Sequence, residues 1–260
     1  MKRILLIAIA SLLVFPVIAQ DDYPPIVTDR PDQTESAITV PMKTLQIESG
    51  FQFSWRDKEG VETKDLGFNS TLLRYGVLKR LEVRLGAAYA GFEETDAVTE
   101  EKTTLNGFAP LALGIKWNML EGDGPIPTLA FLTSVDIPAL ASDDFNDGNV
   151  LQKILLAGSW QLSNTFGLGM NFGTIADWKQ SDFTTIYSVS LGASILKWLG
   201  AFIEYYGFAP AGEYSDQRVN GGFTFPVRNN LQFDIYGGTG VSENSPNAFA
   251  GFGFAWRIPR

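Results

Sequence analysis

Residues 44–55 read Thr-Leu-Gln-Ile-Glu-Ser-Gly-Phe-Gln-Phe-Ser-Trp, in which apolar and polar side chains alternate. Successive side chains of a β-strand point to opposite faces, so this period of two predicts a strand with one apolar and one polar face. Leu45, Ile47, Phe51 and Phe53 would share the apolar face. The same pattern recurs along the rest of the chain.

Eleven further segments of this kind follow, so the sequence predicts twelve strands. They cover residues 66–77, 81–92, 104–119, 126–137, 150–162, 166–176, 183–197, 199–208, 217–227, 231–241 and 248–257. The second strand is the least regular, because Arg74 falls in phase with Phe68 and Leu72. We expect a β-bulge or a change of register there.

The connections between the predicted strands alternate in length. Short turns are predicted at residues 78–80, 121–125, 163–165, 197–198 and 228–230, and longer polar loops at 56–65, 93–103, 138–149, 177–182, 209–216 and 242–247. Bacterial outer-membrane barrels have short periplasmic turns and longer outer loops. Inside a bilayer every backbone polar group must be paired, so a sheet can cross only as a closed barrel. We therefore predict an all-β fold over residues 44–260: a twelve-stranded antiparallel transmembrane β-barrel with long outer loops and short periplasmic turns.

The first nineteen residues have the features of a signal peptide. Lys2 and Arg3 precede an apolar run at residues 4–17, and Ala19 ends a small-residue cleavage site. The run is shorter than the roughly 20 residues of a membrane-spanning helix. We expect cleavage after Ala19 and export to the outer membrane of a Gram-negative bacterium. The expected partners there are membrane lipid, lipopolysaccharide and the barrel-assembly machinery.

The net charge and the residue types that the chain lacks argue against several classes of function. The formal net charge is −9, which disfavours binding to nucleic acid. The chain has no His and no Cys, which excludes Ser–His and Cys–His catalytic sites and the commonest zinc ligands. We therefore expect that the protein is not an enzyme and that it binds no cofactor and no metal. The acidic run at residues 143–149 has the oxygen spacing of a calcium loop, but Leu155 stands where such a loop places its closing Glu, and a solvated loop tip is the favoured interpretation.

Residues 28–36 read Thr-Asp-Arg-Pro-Asp-Gln-Thr-Glu-Ser, and Val40-Pro41 and the strand start Gln46-Ile47-Glu48-Ser49-Gly50-Phe51 follow them. This stretch resembles the outer-membrane transporter-like proteins grouped as "putative MetA-pathway of phenol degradation". The resemblance is specific over residues 28–51 and extends beyond them only as the pattern of a barrel. It implies uptake or efflux of a small organic solute.

Residues 20–43 do not alternate and precede the first strand, so we expect a periplasmic or luminal segment. It carries both charge signs in Asp29, Arg30, Asp32 and Glu35. Two interpretations remain open. These residues form a gate or plug that pairs with charges of the wall, or they form a hydrogen-bonded turn that ties the N-terminus to the rim.

The inward phase of each strand supplies five acidic and five basic lumen-lining candidates. They are Glu48, Glu82, Arg84, Lys116, Asp136, Lys153, Glu204, Arg218, Asp234 and Arg257. Twelve strands enclose a backbone diameter of roughly 24 Å, which leaves about 10 Å between side chains. We expect an outer-membrane barrel that passes or binds a small organic solute by passive diffusion, with hydrophobic and aromatic solutes as candidates. The alternative is a structural or surface-interaction barrel whose lumen is blocked.

Overall fold

The computed structural model describes residues 23–259, so the predicted signal peptide at residues 1–19 lies outside the described range. The described residues form fourteen β-strands and two short 3-10 turns, Pro138–Leu140 and Asp143–Phe145. The strands are β1 Leu45–Lys58, β2 Val61–Leu78, β3 Leu81–Ala87, β4 Tyr89–Asp96, β5 Lys102–Phe108, β6 Leu111–Leu120, β7 Thr128–Ile137, β8 Leu151–Gln161, β9 Phe166–Asp177, β10 Asp182–Leu196, β11 Leu199–Pro210, β12 Asp216–Arg228, β13 Leu231–Gly240 and β14 Ala248–Ile258.

The sheet is a closed antiparallel barrel. The first strand, β1, pairs with β2 on one side and with β14 on the other, so the sheet has no free edge between its first and last strands. Two strands of the wall are interrupted: β3 and β4 break at Ala88, and β5 and β6 break at Ala109 and Pro110. Pro110 has no N–H to donate to a neighbouring strand, and Ala109 N donates to Ala88 O at 3.0 Å across the two breaks. Counted as continuous strands, the wall has twelve members, which confirms the predicted fold.

The irregularity expected in the second strand is confirmed. The pairing of β1 with β2 shifts between Gly50 and Gln52, whose partners are Ser70 and Gly67. The extra residue in β2 changes the phase of the strand. Phe68 is consequently 41% exposed on the outside while Arg74 is completely buried inside.

The outside of the barrel is apolar and its inside is polar. In β14 exposed and buried residues alternate along the strand, and Phe252, Phe254 and Trp256 lie on the exposed face. Phe252 stacks on Phe51 of β1 with ring centroids 5.2 Å apart. Large exposed apolar side chains on strands around the barrel suit lipid and not water. Within residues 23–259, no helix has the length and hydrophobicity needed to cross a membrane.

The two ends of the barrel differ in their connections. We call the end that carries residues 23 and 259, the first and last described, and residues 79–80, 121–127, 162–165, 197–198 and 229–230 the inner mouth, and the opposite end the outer mouth. The predicted loop 56–65 at the outer mouth is instead a turn at Glu59 and Gly60, because β1 and β2 continue as a hairpin beyond the wall. Both turn residues have positive φ angles, 54° and 85°, as a type I′ hairpin requires. The longest connection at the outer mouth is residues 138–150.

Candidate functional site

The luminal segment (residues 23–43) enters the barrel at the inner mouth and returns there before β1 begins. Near its start Ile26 N donates to Asn229 O at 2.7 Å, and at its end Met42 forms a bridge to Gly76. Between these anchors the chain rises to residues 33–35, which contact the middles of β9, β10 and β11. The segment therefore crosses the lumen as a loop whose two ends share one mouth.

Arg74 on β2 is the centre of the ion pairs that hold the segment, and its side chain is completely buried. Its Nε and Nη2 donate to the two carboxylate oxygens of Glu82 at 2.9 and 3.0 Å, and its Nη1 donates to Glu48 Oε1 at 2.8 Å. The guanidinium also lies 3.1 Å from Asp29 Oδ2 and donates to Ile38 O at 2.9 Å. A buried charge is tolerated when it is paired and hydrogen-bonded. Glu48 and Glu82 of the wall supply the main pairing of Arg74, and Asp29 and Ile38 of the segment complete it.

Two carboxylates of the segment, Asp29 and Glu35, meet three further cations of the wall besides Arg74. Lys116 Nζ donates to both oxygens of Asp29 at 2.6 and 2.8 Å. Arg84 joins the two carboxylates, with Nη1 3.0 Å from Asp29 Oδ2 and Nη2 2.9 Å from Glu35 Oε2. Lys153 donates to Glu35 Oε1 at 3.0 Å. Burial alone would raise the pKa of Glu35, but Arg84, Lys153 and Lys116 together hold it well below its usual value, so Glu35 is ionised at neutral pH.

Arg30 connects the segment to the opposite wall. Its Nη2 and Nε donate to the two oxygens of Asp234 on β13, at 2.9 and 3.3 Å. Gly50 and Gly253, a cross-strand pair of β1 and β14, form the floor under this guanidinium. A Cβ atom added at either glycine would overlap the Arg30 side chain. The missing side chains of these two glycines therefore provide the space that Arg30 occupies.

The tip of the segment is held by hydrogen bonds to its backbone. Glu204 on β11 accepts from Gln33 N at 3.0 Å, from Thr34 N at 2.7 Å and from the Thr34 hydroxyl at 2.6 Å. The Thr34 hydroxyl also lies 2.8 Å from the Ser188 hydroxyl of β10. These contacts fix the position of residues 33–34 across the lumen.

The side-chain amide of Asn171 on β9 holds the next residue of the tip. Its Oδ1 accepts from Glu35 N at 2.6 Å and its Nδ2 donates to Glu35 O at 3.0 Å. The amide thus satisfies both backbone groups of one residue, which would otherwise be buried without partners. The wall thus provides hydrogen-bond partners that match the backbone of this segment.

Asp32 differs from the other carboxylates of the segment. Among the residues that the structure describes, no Lys or Arg nitrogen lies within ion-pairing distance of Asp32 or of Glu204. Burial raises the pKa of Asp32 to about 8, and the charge of Glu204 acts in the same direction, against the Ser190 hydroxyl, which lowers it. Asp32 is partly exposed on the lining of the inner cavity, so water there opposes this shift.

The tip of the segment separates two cavities. The outer cavity, of about 230 Å³, lies on the outer-mouth side. Its walls are mostly aliphatic and aromatic, and its floor is polar; the lining includes Leu155, Ile175, Ile186, Tyr187, Tyr206 and Phe208 above Gln33, Glu35, Lys153, Asn171 and Ser188. The inner cavity, of about 490 Å³, opens toward the inner mouth and is lined by Asp32, Thr34 and Ser190 among others. A layer only a few residues thick separates the two.

The structure brings most of the sequence-predicted charges to the segment. Those that contact it are Glu48, Glu82, Arg84, Lys116, Lys153, Glu204, Asp234 and Arg257, the last of which donates to Pro24 O. Two predicted residues do not. Arg218 pairs with Asp216 near the outer mouth, and the half-buried Asp136 makes no ion pair within residues 23–259. Glu48 and Glu82 also pair across neighbouring strands of the wall, with Arg74 of β2.

Sequence reasoning missed several residues of the site. Arg74 was out of phase with its strand, and that irregularity was the signal that could have revealed it. Thr34, Asn171 and Ser188 gave no signal, because small neutral polar side chains occur at many inward positions of a barrel.

The acidic run at residues 143–149 lies in the outer loop 138–150. Asp144 Oδ2 accepts from Asn106 N at 3.0 Å, and Asp147 Oδ1 accepts from Asn149 N at 2.8 Å. These carboxylates hold the loop to β5 and to itself.

Comparison with solved structures finds barrels of the same fold. An outer-membrane channel from Pseudomonas putida F1 superposes with a TM-score of 0.62 at 13% identity, covering 93% of this chain and all of that chain. The translocator domain of autotransporter NalP from Neisseria meningitidis gives 0.56 at 11% identity, covering 84% of this chain and 89% of its own. The NanC porin gives 0.51 at 9% identity, covering 82% and 98%. At these identities the likeness is one of fold, that of outer-membrane barrels of Gram-negative bacteria.

Comparison with curated proteins finds no match. The sequence profile of one family, described as "Putative MetA-pathway of phenol degradation", matches residues 28–258, which include both the luminal segment and the barrel wall. This confirms the resemblance seen in residues 28–51 and extends it to nearly all of the described chain. The chain belongs to this family of outer-membrane β-barrel proteins.

Proposed function

We propose that this protein is a gated outer-membrane channel that lets a small organic solute diffuse passively through the barrel, with the luminal segment as the gate. One observation carries the proposal: a thin layer, residues 33–35, separates a cavity of about 230 Å³ from one of about 490 Å³. A structural barrel of this size would need no cavity on either side of its filling. Displacement of this one layer would join the two cavities into a path.

The outer cavity supports a solute with an apolar body and a polar group. Its walls include Ile186, Tyr206 and Phe208, and Lys153 at its floor is the one cation that lines it. A cavity of about 150 Å³ lined by apolar side chains is large enough for benzene. A volume of about 230 Å³ therefore admits a solute of one ring or a short chain. Hydrophobic and aromatic solutes fit this chemistry.

The mechanism we propose is diffusion down a gradient. The sequence contains no phosphate-binding GxxxxGK[ST] motif that would couple transport to a nucleotide. Opening would exchange the ion pairs and hydrogen bonds of the segment for contacts with water in the lumen. We also propose that the protein is not an enzyme, which accords with a chain that has neither His nor Cys.

The surroundings of the barrel follow from its surface. The apolar exterior would contact membrane lipid, and the acidic outer loops would meet the cations that bridge lipopolysaccharide. The last strand, β14, ends near Trp256, which we propose as the aromatic residue that the barrel-assembly machinery reads.

A second candidate function is a structural barrel with a permanently blocked lumen. The observation that favours it is the burial of Arg74, which has no exposed surface and pairs with Glu48, Glu82 and Asp29 at once. Such a network would strongly resist release of residues 27–29 and 38–40. Residues 30–35 have no ion pair or hydrogen bond with Arg74, so the proposed channel requires only this part of the segment to move.

Reconstitution into liposomes tests the proposal. Solute flux and single-channel conductance would be measured for the whole protein and for a variant that lacks residues 28–36. A variant shortened in the outer loop at residues 143–149 is the matched control. We expect conductance to rise strongly in the first variant and to stay at the wild-type level in the second. Absence of flux and conductance in all three, with the barrels folded, would refute the channel and leave the blocked barrel.

A further inference from the structure

Glu35 lies at the boundary between the two cavities. Among residues 23–259 it is the one residue that lines both of them. Its Oε1 accepts a hydrogen bond from Lys153 Nζ at 3.0 Å, and its Oε2 lies 2.9 Å from Arg84 Nη2 and 3.5 Å from Lys116 Nζ. Three cations of the wall thus converge on one carboxylate at this boundary.

The carboxylate of Glu35 fits these cations imperfectly. Its Oε2 is buried but accepts no hydrogen bond of normal geometry, although Arg84 Nη2 is close to it. Asn171 holds the backbone of Glu35 on both sides, at 2.6 and 3.0 Å, and so restricts the positions that the carboxylate can reach. A carboxylate on a free molecule has no such restraint and can align both oxygens with cationic donors.

The pairing of Lys153 favours replacement of Glu35 over its simple removal. Within residues 23–259 Glu35 is the only ion-pair partner of Lys153, whose side chain is 33% exposed and borders the outer cavity. Departure of Glu35 alone would leave this ammonium unpaired beside apolar side chains, which is unfavourable. Arg84 and Lys116 would keep Asp29 as a partner. One incoming anion of a single charge therefore restores the pairing that Glu35 provides.

The walls next to Lys153 are apolar. Leu155 lies two residues further along the same face of β8, and Ile175 of β9 is the cross-strand partner of Lys153. Ile186 and Phe208 also line this cavity. A ligand whose charge lies at Lys153 therefore has its body against aliphatic and aromatic side chains. The cavity of about 230 Å³ is larger than the roughly 150 Å³ that admits benzene, so one ring with a carboxylate fits.

We propose that the outer cavity binds a small organic monocarboxylate, whose carboxylate replaces that of Glu35 on Lys153 and Arg84 and thereby opens the gate. This inference rests on the proposed function and names its solute class. The inner cavity also borders Glu35, so the displaced side chain has an open space to enter. Residues 33–35 then keep hydrogen bonds to the wall but no ion pair, and the layer between the cavities is loosened by the solute itself.

The first test measures binding and does not depend on transport. Benzoate and benzamide, which have similar shapes and differ in charge, would be titrated by ligand-observed NMR against the whole protein in detergent at neutral pH. A tethered group competes at an effective concentration of about a millimolar or more, so Glu35→Gln should strengthen benzoate binding at least ~10-fold. Benzamide binding should change little. Addition of Lys153→Met to Glu35→Gln should remove the gain.

The matched control is Glu121→Gln, the same chemical change at an exposed carboxylate that pairs with Arg80 at the inner mouth. It should leave the affinity for both ligands unchanged. The shift in gel mobility on heating shows that each variant is folded. Equal changes in benzoate and benzamide affinity on Glu35→Gln, or no change in either, would overturn the proposal.

The second test asks whether the ligand opens the gate. The open fraction would be recorded in planar bilayers with benzoate, benzamide or acetate added on the outer-mouth side at constant ionic strength. In the wild type we expect benzoate to raise the open fraction, benzamide to leave it unchanged, and acetate, which has no apolar body, to have a much smaller effect than benzoate. Glu35→Gln should have a raised open fraction without any ligand and should not respond further to benzoate.

The two tests separate failure of this inference from failure of the channel. A benzoate-specific gain in Glu35→Gln with no conductance from any variant, including the one that lacks residues 28–36, supports the carboxylate site and refutes the channel. Conductance from that deletion variant without a benzoate-specific gain in Glu35→Gln supports the channel and overturns the inference. Benzoate-specific binding that leaves the open fraction of a conducting wild type unchanged would overturn the exchange as the step that opens the gate.

Discussion

Gly50→Ala should open the channel by displacing Arg30, without harm to the barrel. The three atoms nearest to the new Cβ all belong to the Arg30 guanidinium, which it would overlap. Because that guanidinium is the far end of a flexible side chain, it can move aside, and its two hydrogen bonds to Asp234 at 2.9 and 3.3 Å would be lost. Ala in a strand is otherwise more favourable than Gly by about 0.5–1 kcal/mol.

The size of the effect follows from the pair that is broken. Asp234 has no exposed side-chain surface, so loss of its partner leaves a buried carboxylate unpaired. A hydrogen bond to a charged group contributes about 1.5–3 kcal/mol, and Arg30, at 16% exposure, regains part of this from water in the inner cavity. The closed state should therefore lose about 1–3 kcal/mol relative to the open state. Since 1.4 kcal/mol is a factor of 10, the open fraction should rise about 5- to 150-fold.

Single-channel recording in planar bilayers measures the open fraction directly. Gly192→Ala is the matched control, because an added Cβ at this glycine of β10 meets only Gly167 O, at 4.0 Å. It should leave the open fraction unchanged. In an Arg30→Ala background Gly50→Ala should have no further effect, since the residue it displaces is already gone. An effect of Gly50→Ala that persists in that background, or that Gly192→Ala reproduces, would refute the reasoning.

Three further outcomes are expected. Arg74→Met should lower the free energy of unfolding by about 3–5 kcal/mol in urea titrations with lipid vesicles, because it leaves buried carboxylates unpaired; Arg80→Met, which removes a solvent-exposed ion pair to Glu121, should cost less than about 1 kcal/mol. Asn171→Leu should raise solute flux several-fold at an unchanged gel mobility shift on heating, since it frees the backbone of Glu35 from the wall; unaltered flux would count against the tip as the barrier. Lys153→Met should weaken uptake of anionic solutes relative to neutral ones in competition assays, because it removes the one cation that lines the outer cavity; a uniform change for both classes would contradict that role.

The sequence alone was sufficient for the architecture. Alternation as regular as that of β14 predicts both the strand and which face meets lipid, since a period of two is a local property of the backbone. The number of strands followed from counting the segments in which apolar and polar residues alternate. Loop lengths followed less well: the hairpin of β1 and β2 turns at Glu59 and Gly60, because polar residues beyond the membrane can continue a strand as readily as form a loop.

The site was predictable only in part. Inward phase identified Glu48, Glu82 and Lys116 as luminal, because phase is also local. It did not locate their partners: Glu48 and Glu82 pair with Arg74 of the wall, whereas Lys116 pairs with Asp29 of the luminal segment. Asp29 lies 55 residues from Arg84 and 87 from Lys116 in the chain, and no local pattern connects positions so far apart.

The sequence by itself thus determined a closed barrel with an apolar outside and a charged inside, because strand periodicity and the need to pair backbone groups in lipid act residue by residue. Only the tertiary structure decided what fills that inside. Closure of the wall brings β1, β2, β3 and β6 around Asp29 and brings β9, β10 and β11 around residues 33–35. The choice between a tie at the rim and a segment across the lumen was therefore a matter of three-dimensional distance, which the sequence does not encode locally.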